Sequence, residues 1–201
     1  MIDYVNLFID TEFTGLKQDT SLISLGIISE NEKMFYAEFT DYNKKDIDNW
    51  LKENVLNNLL LTKQEKNSVY LELLPEFEGM ITTVVGNKKY ITKQFLNWTN
   101  IYFKNKKLKI WSDCLSYDWV LFNELFGGAL NIPNNIYYIP FDICTLFELL
   151  HIDPDIPREE FIYINNNLKH NALFDAKIIR LCYIKLMYLY NNRIMYSHNK
   201  R

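Results

Sequence analysis

This chain of 201 residues lacks most of the features that mark secreted, membrane-spanning or low-complexity proteins. Its three cysteines, Cys114, Cys144 and Cys182, form no CxxC pair, so the sequence indicates neither a disulfide framework nor a zinc knuckle. Only six glycines and five prolines are present, which excludes a collagen-like or low-complexity chain. The N-terminus lacks the basic start of a signal peptide, and no apolar stretch is long enough to span a bilayer. We therefore expect a cytoplasmic protein with no membrane partner.

Charge of one sign is not in large excess either. The 22 basic and 25 acidic side chains give a net charge of -3, so no global basic field attracts nucleic acid and any such contact must be local. Hydrophobic residues make up 48% of the chain and charged residues 23%, which is typical of a globular protein. The length favours a single domain over residues 1–201 with a sizeable core.

Three apolar runs at the start of the chain predict consecutive β-strands. They cover Val5–Ile9, Leu22–Ser29 and Lys33–Thr40, and the polar sequence SENE between the last two predicts a hairpin. Later segments alternate: helices are predicted over Thr92–Phe103, Asp118–Phe126 and Leu173–Tyr190, and strands over Leu108–Ser112 and Ile136–Ile139. This order of elements predicts a layered α/β fold.

Two segments differ from this alternation. Residues 43–80 are rich in Asn, Lys, Glu and Leu, and apolar residues from Trp50 to Leu60 follow helical spacing, so we expect a helical embellishment there. Thr92 is a candidate cap for the helix that follows. After Asn191 the composition turns polar, which predicts a frayed tail over residues 191–201.

Asp10 and Glu12 come at the end of the first predicted strand. Two residues apart on a strand, they point to the same face, where their charges repel unless a cation lies between them. Oxygen ligands suit Mg²⁺ or Mn²⁺ better than zinc or copper. Thr14 and Gly15 follow in a turn where backbone can approach a ligand. Two carboxylates at this spacing are nevertheless common at ordinary solvated turns.

His170 and Asp175 lie around the start of the long C-terminal helix. We expect His170 on the preceding loop and Asp175 in the first turns, and together they could supply a general base and a metal ligand. Ala172 and Ala176 are small, which permits close approach by another element. Taken alone, the pattern also fits an ordinary helix start with a surface histidine.

Asp118 stands where a helix should begin after a strand. The helix dipole favours an acid at such a position, so its presence there needs no functional reason. Asp113, at the end of the preceding strand, is the competing candidate for a site residue.

Taken in order, these segments resemble the DEDDh branch of the 3′–5′ exonuclease superfamily, in particular its stand-alone exoribonucleases. DTEFTGL, which starts at Asp10, is close to the family pattern DxExTGL, and HNALFDA, which starts at His170, fits HxAxxDA at each fixed position. Asp118 matches the central aspartate, because an apolar run follows it. Many relatives carry Asn four residues before that aspartate, where this sequence has Cys114. The resemblance extends from Val5 to about Tyr190.

The resemblance implies a ribonuclease H-like α/β fold, in which a mixed sheet is flanked by helices. It implies a metal-dependent exoribonuclease that releases nucleoside 5′-monophosphates from RNA 3′ ends with two Mg²⁺ ions, for which Mn²⁺ can substitute. Asp10 would bridge both ions, Glu12 and Asp175 would hold one, and Asp118 would support the other. His170 would act as the general base.

The substrate-binding candidates are the residues that follow the first motif, Phe13, Thr14, Gly15 and Leu16. Phe13 and Leu16 are candidates for packing on the terminal base, and core packing is the alternative for both. Single-stranded DNA is the alternative substrate, and a binding module of the same fold without turnover is the alternative function. Many relatives are homodimers, so a homodimer is among the expectations that follow from the resemblance.

Overall fold

The computed structural model describes residues 3–61, 67–72, 77, 79–164 and 168–198, the side chains of 70–72 and 194–198 aside. Predictions that fall on the remaining residues lie outside this description. No helix among the described residues is both long and apolar enough to cross a membrane.

A seven-stranded mixed sheet forms the centre of the fold. Its strands are Tyr4–Phe13 (β1), Leu22–Ser29 (β2), Met34–Phe39 (β3), Ser68–Glu72 (β4), Ile81–Gly86 (β5), Lys107–Ser112 (β6) and Phe141–Asp142 (β7), in the order β4-β5-β3-β2-β1-β6-β7. The first three strands are antiparallel neighbours, as the apolar runs and the SENE turn predict. β6 joins β1 in parallel, and β5 joins β3 in parallel.

Six α-helices in the described part of the chain accompany the sheet. They are Asn49–Asn54 (α1), Lys88–Tyr102 (α2), Leu115–Glu124 (α3), Ile143–Leu149 (α4), Arg158–Ile162 (α5) and Ala172–His198 (α6). Single 3₁₀ turns occur at Lys44–Asp46, Leu56–Asn58 and Ala129–Asn131. That these elements form a single exonuclease domain over 1–201 stays a prediction.

Apolar side chains alternate between the two faces of β1, so both faces of the sheet are buried. Phe8 belongs to a core shared with α4, α5 and α6, whereas Leu7 and Ile9 belong to a second core under α2 and α3. By the same alternation Asp10 and Glu12 lie on the α6 face and Thr11 on the α3 face. This arrangement determines which helix can bring a side chain to each acid.

Helix α6 confirms one prediction and corrects another. The expected inner stripe of Ile178, Ile179, Cys182 and Leu186 is buried against the sheet. The prediction that the chain frays after Asn191 is wrong, because α6 continues to His198. No Pro or Gly interrupts residues 191–198, and each added helical residue gains a backbone hydrogen bond. Residues 199–201 lie outside the described part.

The expected helical embellishment at 43–80 is correct only for its first part. Short helical turns run from Lys44 to Asn58, but Ser68–Glu72 is a strand paired with β5, a strand that helical spacing did not predict. The helical spacing ends at Leu60, and residues 68–72 are stabilised as a strand by antiparallel pairing with the next strand along the chain. Two smaller predictions also fail: Asn87, and not Thr92, caps α2, and the expected strand at Ile136–Ile139 is reduced to an isolated bridge between Leu108 and Ile136.

Candidate active site

Three carboxylates converge at one edge of the sheet. Oxygen atoms of Asp10, Glu12 and Asp175 lie within 4.8 Å of one another. Asp10 and Glu12 reach this point from alternate positions of β1, and Asp175 reaches it from the first turn of α6. All three side chains are half-buried. The structure therefore brings together the two acids of the first motif and the aspartate of the last motif, which are far apart in sequence.

The start of α6 can reach Asp10 because β2 carries a glycine at the crossing point. Gly26 pairs with Asp10 in the sheet, and a Cβ built on Gly26 would lie 2.1 Å from the backbone oxygen of Ala172. Any side chain at position 26 would therefore push α6 away from the sheet. The element that approaches Ala172 is β2, and the close approach is to the Ala172 backbone.

Burial and mutual repulsion raise the pKa values of the three acids in the metal-free protein, so each loses its proton less readily than an ordinary carboxyl group. Burial, followed by the charges of Asp118 and Asp175, raises the pKa of Asp10 well above its ordinary value. Burial, with the charges of Asp175 and Asp118, raises the pKa of Glu12 to about 8. Burial and the charge of Glu159 raise the pKa of Asp175 to about 7, against a lowering hydrogen bond from the His170 backbone. A bound cation would relieve this repulsion.

Asp118 lies next to this cluster but is held from the opposite face of the sheet. Its side chain is fully buried, and one oxygen accepts hydrogen bonds from the backbone N–H of Thr11 at 3.1 Å and from the Thr11 hydroxyl at 2.5 Å. The other oxygen accepts a hydrogen bond from the Ser112 hydroxyl. Burial raises the pKa of Asp118 to about 6, although these hydrogen bonds lower it. Among the described residues Asp118 is not a member of the three-carboxylate group.

Asp113, the competing candidate, lines the cavity beside Asp10 but is committed to an ion pair. The Arg158 guanidinium donates to both of its oxygens, at 2.8 Å to Oδ1 and 2.9 Å to Oδ2. The Arg158 side chain is only 14% exposed and also lies over the Phe147 ring. No local pattern points to Arg158, because its partner is 45 residues away and PREE indicates only a helix start.

A cavity of about 290 Å³ opens over the acids. Its lining includes Asp10, Asp113, Arg158, Lys169, His170 and Asp175. His170 lies on the loop before α6, as expected, and its backbone has a left-handed φ of 63°. Burial, together with the charge of Lys169, lowers the pKa of its imidazole, which favours the neutral form that a base requires.

The four residues predicted to bind substrate have different roles in the structure. Leu16 is 76% exposed, so core packing does not explain it, whereas Phe13 stacks on Tyr117 with ring centroids 5.2 Å apart. Thr14 is buried, and its hydroxyl accepts a hydrogen bond from the Ser21 backbone N–H. Gly15 has a φ of 151°, which requires glycine. Thr14 and Gly15 therefore shape the turn, Leu16 presents an exposed apolar side chain, and Phe13 packs against the core under α2 and α3.

Comparison with solved structures identifies the fold. The structure of S. pombe Pop2p in its Mg²⁺- and Mn²⁺-bound form matches with a TM-score of 0.54 and 12% identity over 90% of this chain and 82% of that chain. The Pan2 catalytic unit of Neurospora crassa matches with a TM-score of 0.45 and 16% identity over 98% of this chain and 29% of that chain. The Pop2p match confirms the predicted ribonuclease H-like α/β fold.

Sequence comparison supplies the family. No curated protein matches the chain. The family model described as the 3′–5′ exoribonuclease Rv2179c-like domain matches residues 5–185, which include all three motifs, and the chain therefore belongs to this family of 3′–5′ exonucleases.

Proposed function

We propose that this protein is a metal-dependent 3′–5′ exoribonuclease that releases nucleoside 5′-monophosphates from RNA 3′ ends. The observation that carries the proposal is the convergence of the Asp10, Glu12 and Asp175 oxygens within 4.8 Å, in a cavity that His170 also lines. Three half-buried carboxylates at this distance repel one another, so a divalent cation fits the chemistry of the donor set.

Asp10, Glu12 and Asp175 would hold the first Mg²⁺, with Mn²⁺ as a substitute. In support, the Pop2p structure contains both metals. Asp10 would also contact a second ion, which Asp118 would support through its charge from the other face of the sheet. When bound, two such ions can stabilise the attacking and leaving oxygens of a phosphodiester.

His170 would take the proton of the attacking water. It lines the same cavity as Asp10 and Asp175, and its lowered pKa keeps the imidazole neutral near pH 7. The exposed Leu16 and the Phe13–Tyr117 stack would pack on the terminal base without reading its identity. RNA is the proposed substrate because the family is one of exoribonucleases, and single-stranded DNA and a homodimer stay untested predictions.

A ladder assay tests the proposal. RNA and DNA strands of the same sequence, labelled at the 5′ end, are incubated with Mg²⁺, Mn²⁺ or EDTA. We expect RNA products that shorten from the 3′ end with either metal, no products in EDTA, and none with Asp10→Ala. Glu148→Ala removes an exposed acid on α4 and should leave the ladder intact. Retention of the strand without cleavage under every metal would instead indicate a binding module.

A further inference from the structure

The helical segment Asn49–Leu61, which has no counterpart in the motifs, lies against the loop that carries His170. The Trp50 ring meets the His170 ring edge-to-face, with centroids 5.1 Å apart and an interplanar angle of 72°. This contact is well within the range of a favourable aromatic pair. It joins an element without an assigned role to the proposed general base.

Two hydrogen bonds attach the same segment to both chain neighbours of His170. The Asn58 side-chain amide donates to the Lys169 carbonyl at 2.8 Å, and the Asn171 side-chain amide donates to the Asn58 carbonyl at 2.7 Å. Both chain neighbours of His170, Lys169 and Asn171, are therefore hydrogen-bonded to Asn58. These ties oppose rotation of a loop whose left-handed backbone at His170 carries conformational strain.

The segment is itself anchored to the sheet. Leu51 and Val55 are buried and pack with Ile23 of β2, and the backbone N–H of Leu61 donates to Glu38 of β3 at 2.8 Å. Trp50 therefore belongs to a segment that is anchored to two strands of the sheet. Trp50 itself remains 52% exposed, and among the described residues it is not part of the cavity lining. The ring thus supports His170 without forming a wall of the cavity.

We propose that Trp50 is a positioning residue for His170: its ring holds the imidazole in the orientation in which it faces the cavity. The inference rests on the proposed function, because a positioning role has a kinetic effect only if His170 takes part in turnover. In this role the segment Asn49–Leu61 contributes to the reaction, because Asn58 holds the backbone of the His170 loop and Trp50 holds the His170 ring.

Kinetics on a short RNA in Mg²⁺ test this role. Trp50→Ala should lower kcat about 10- to 100-fold, because a displaced catalytic group loses its reactive geometry, and should change KM less than about threefold. Trp50→Phe keeps an aromatic edge and should recover most of the rate. Tyr188→Ala removes an exposed ring about 20 Å further along α6 and should match wild type.

A double-mutant cycle separates positioning from direct substrate contact. If Trp50 acts through His170, Trp50→Ala should cause no further loss in a His170→Ala background. An undiminished loss in that background, or an effect on KM alone, would show that Trp50 stacks on the RNA or acts elsewhere, and would overturn the proposal.

Proton NMR of the histidine rings tests the contact independently of activity. The chain has three histidines, so His170→Ala identifies the relevant resonances. Trp50→Ala should shift the His170 ring protons and Tyr188→Ala should not. Unchanged His170 resonances would overturn the positioning role. If they shift but His170→Ala keeps the wild-type rate, the proposed base is wrong and the positioning role fails with it, while the ring contact stands.

Discussion

Thr11 holds Asp118 with both its backbone N–H and its hydroxyl, and both hydrogen bonds go to the same carboxylate oxygen. Thr11 lies between Asp10 and Glu12 on β1, and its side chain points to the opposite face of the sheet. One strand therefore directs two acids toward the α6 face and fixes a third acid, from α3, through the residue between them. The spacing of the first motif serves both faces of the sheet.

Replacing Thr11 by Val should destabilise the protein by about 1–3 kcal/mol, because a buried carboxylate loses a hydrogen-bond donor. The hydrogen bond lowers the pKa of Asp118, so its loss matters most when Asp118 is ionised. The destabilisation should therefore be larger at pH 8 than at pH 5, on either side of the Asp118 pKa of about 6. Urea unfolding at both pH values measures this difference.

Thr99→Val is the matched control for that measurement. Thr99 is also buried, but its hydroxyl donates to the backbone carbonyl of Leu96, which does not titrate. Its stability loss should be the same at pH 5 and pH 8. A pH-independent loss for Thr11→Val as well would mean that Asp118 is not the group that responds.

The metal-free protein should lose stability as the pH rises. The pKa of Glu12 is raised from 4.5 to about 8 and that of Asp175 from 3.8 to about 7, so between these limits the folded state binds more protons than the unfolded state. The free energy of unfolding then decreases with increasing pH. We expect the melting temperature in EDTA to fall between pH 5 and pH 8.5, and Mg²⁺ to reduce this fall by replacing the bound protons.

Removing one acid tests the cause of that slope. Asp175→Asn should abolish cleavage, yet it should raise the melting temperature in EDTA at pH 8 and flatten the pH profile, because one repulsive charge is gone. Glu148→Gln, at an exposed acid on α4, should leave the slope unchanged. A wild-type profile in EDTA that is already flat would contradict the repulsion argument.

Gly26→Ala should separate α6 from the sheet at the site. The added Cβ would meet the Ala172 backbone at 2.1 Å, and backbone cannot move aside as a side chain can. We expect a stability loss of about 1–3 kcal/mol from overpacking and a loss of activity of about 100-fold, because Asp175 moves away from Asp10. Unfolding curves and the ladder assay measure the two effects.

Gly86→Ala provides the comparison, at the end of β5. Its Cβ would lie 2.8 Å from the Tyr90 ring, which is a side chain that can shift. It should cost less stability and keep full activity. Equal activity of the two variants would show that the position of α6 at Gly26 does not control the site.

Local patterns predicted the parts of the site that depend on local geometry. Period-two alternation places Asp10 and Glu12 on one face, and the structure agrees because β1 is regular there. The first two helical turns likewise determine where Asp175 lies relative to Asn171, whose side chain caps the start of α6 by accepting from the Phe174 N–H. Such contacts need no knowledge of the rest of the chain.

Non-local contacts were the ones that sequence did not predict. The register that pairs Gly26 with Asp10, and the ion pair of Arg158 with Asp113, depend on how separate elements pack against each other, which no periodicity encodes. The strand Ser68–Glu72 lay inside the predicted helical embellishment, but its antiparallel pairing with the next strand, β5, supplies the stabilisation. Trp50 fitted a helical spacing, but its contact with His170 bridges 120 positions.

The choice between Asp113 and Asp118 is open to a direct comparison. Both oxygens of Asp113 accept hydrogen bonds from Arg158, so its replacement should mainly weaken the structure. The charge of Asp118 contributes more than that of Asp113 to the raised pKa of Asp10, and it also raises the pKa of Glu12. Asp118→Asn should therefore lower cleavage at least about 100-fold and weaken Mg²⁺ binding, as the loss of a metal-supporting group does. Asp113→Asn should lower cleavage less than about tenfold.

The Arg158→Gln/Asp113→Asn double variant controls for the ion pair. Asp113→Asn alone leaves a largely buried guanidinium without its charged partner, which is costly, and removing that charge as well should recover part of the stability. Calorimetric Mg²⁺ titration and the ladder assay, run on all three variants, distinguish the two acids. If Asp113→Asn abolishes metal binding while Asp118→Asn retains it, Asp113 is the fourth acid of the site and Asp118 serves only to join α3 to β1.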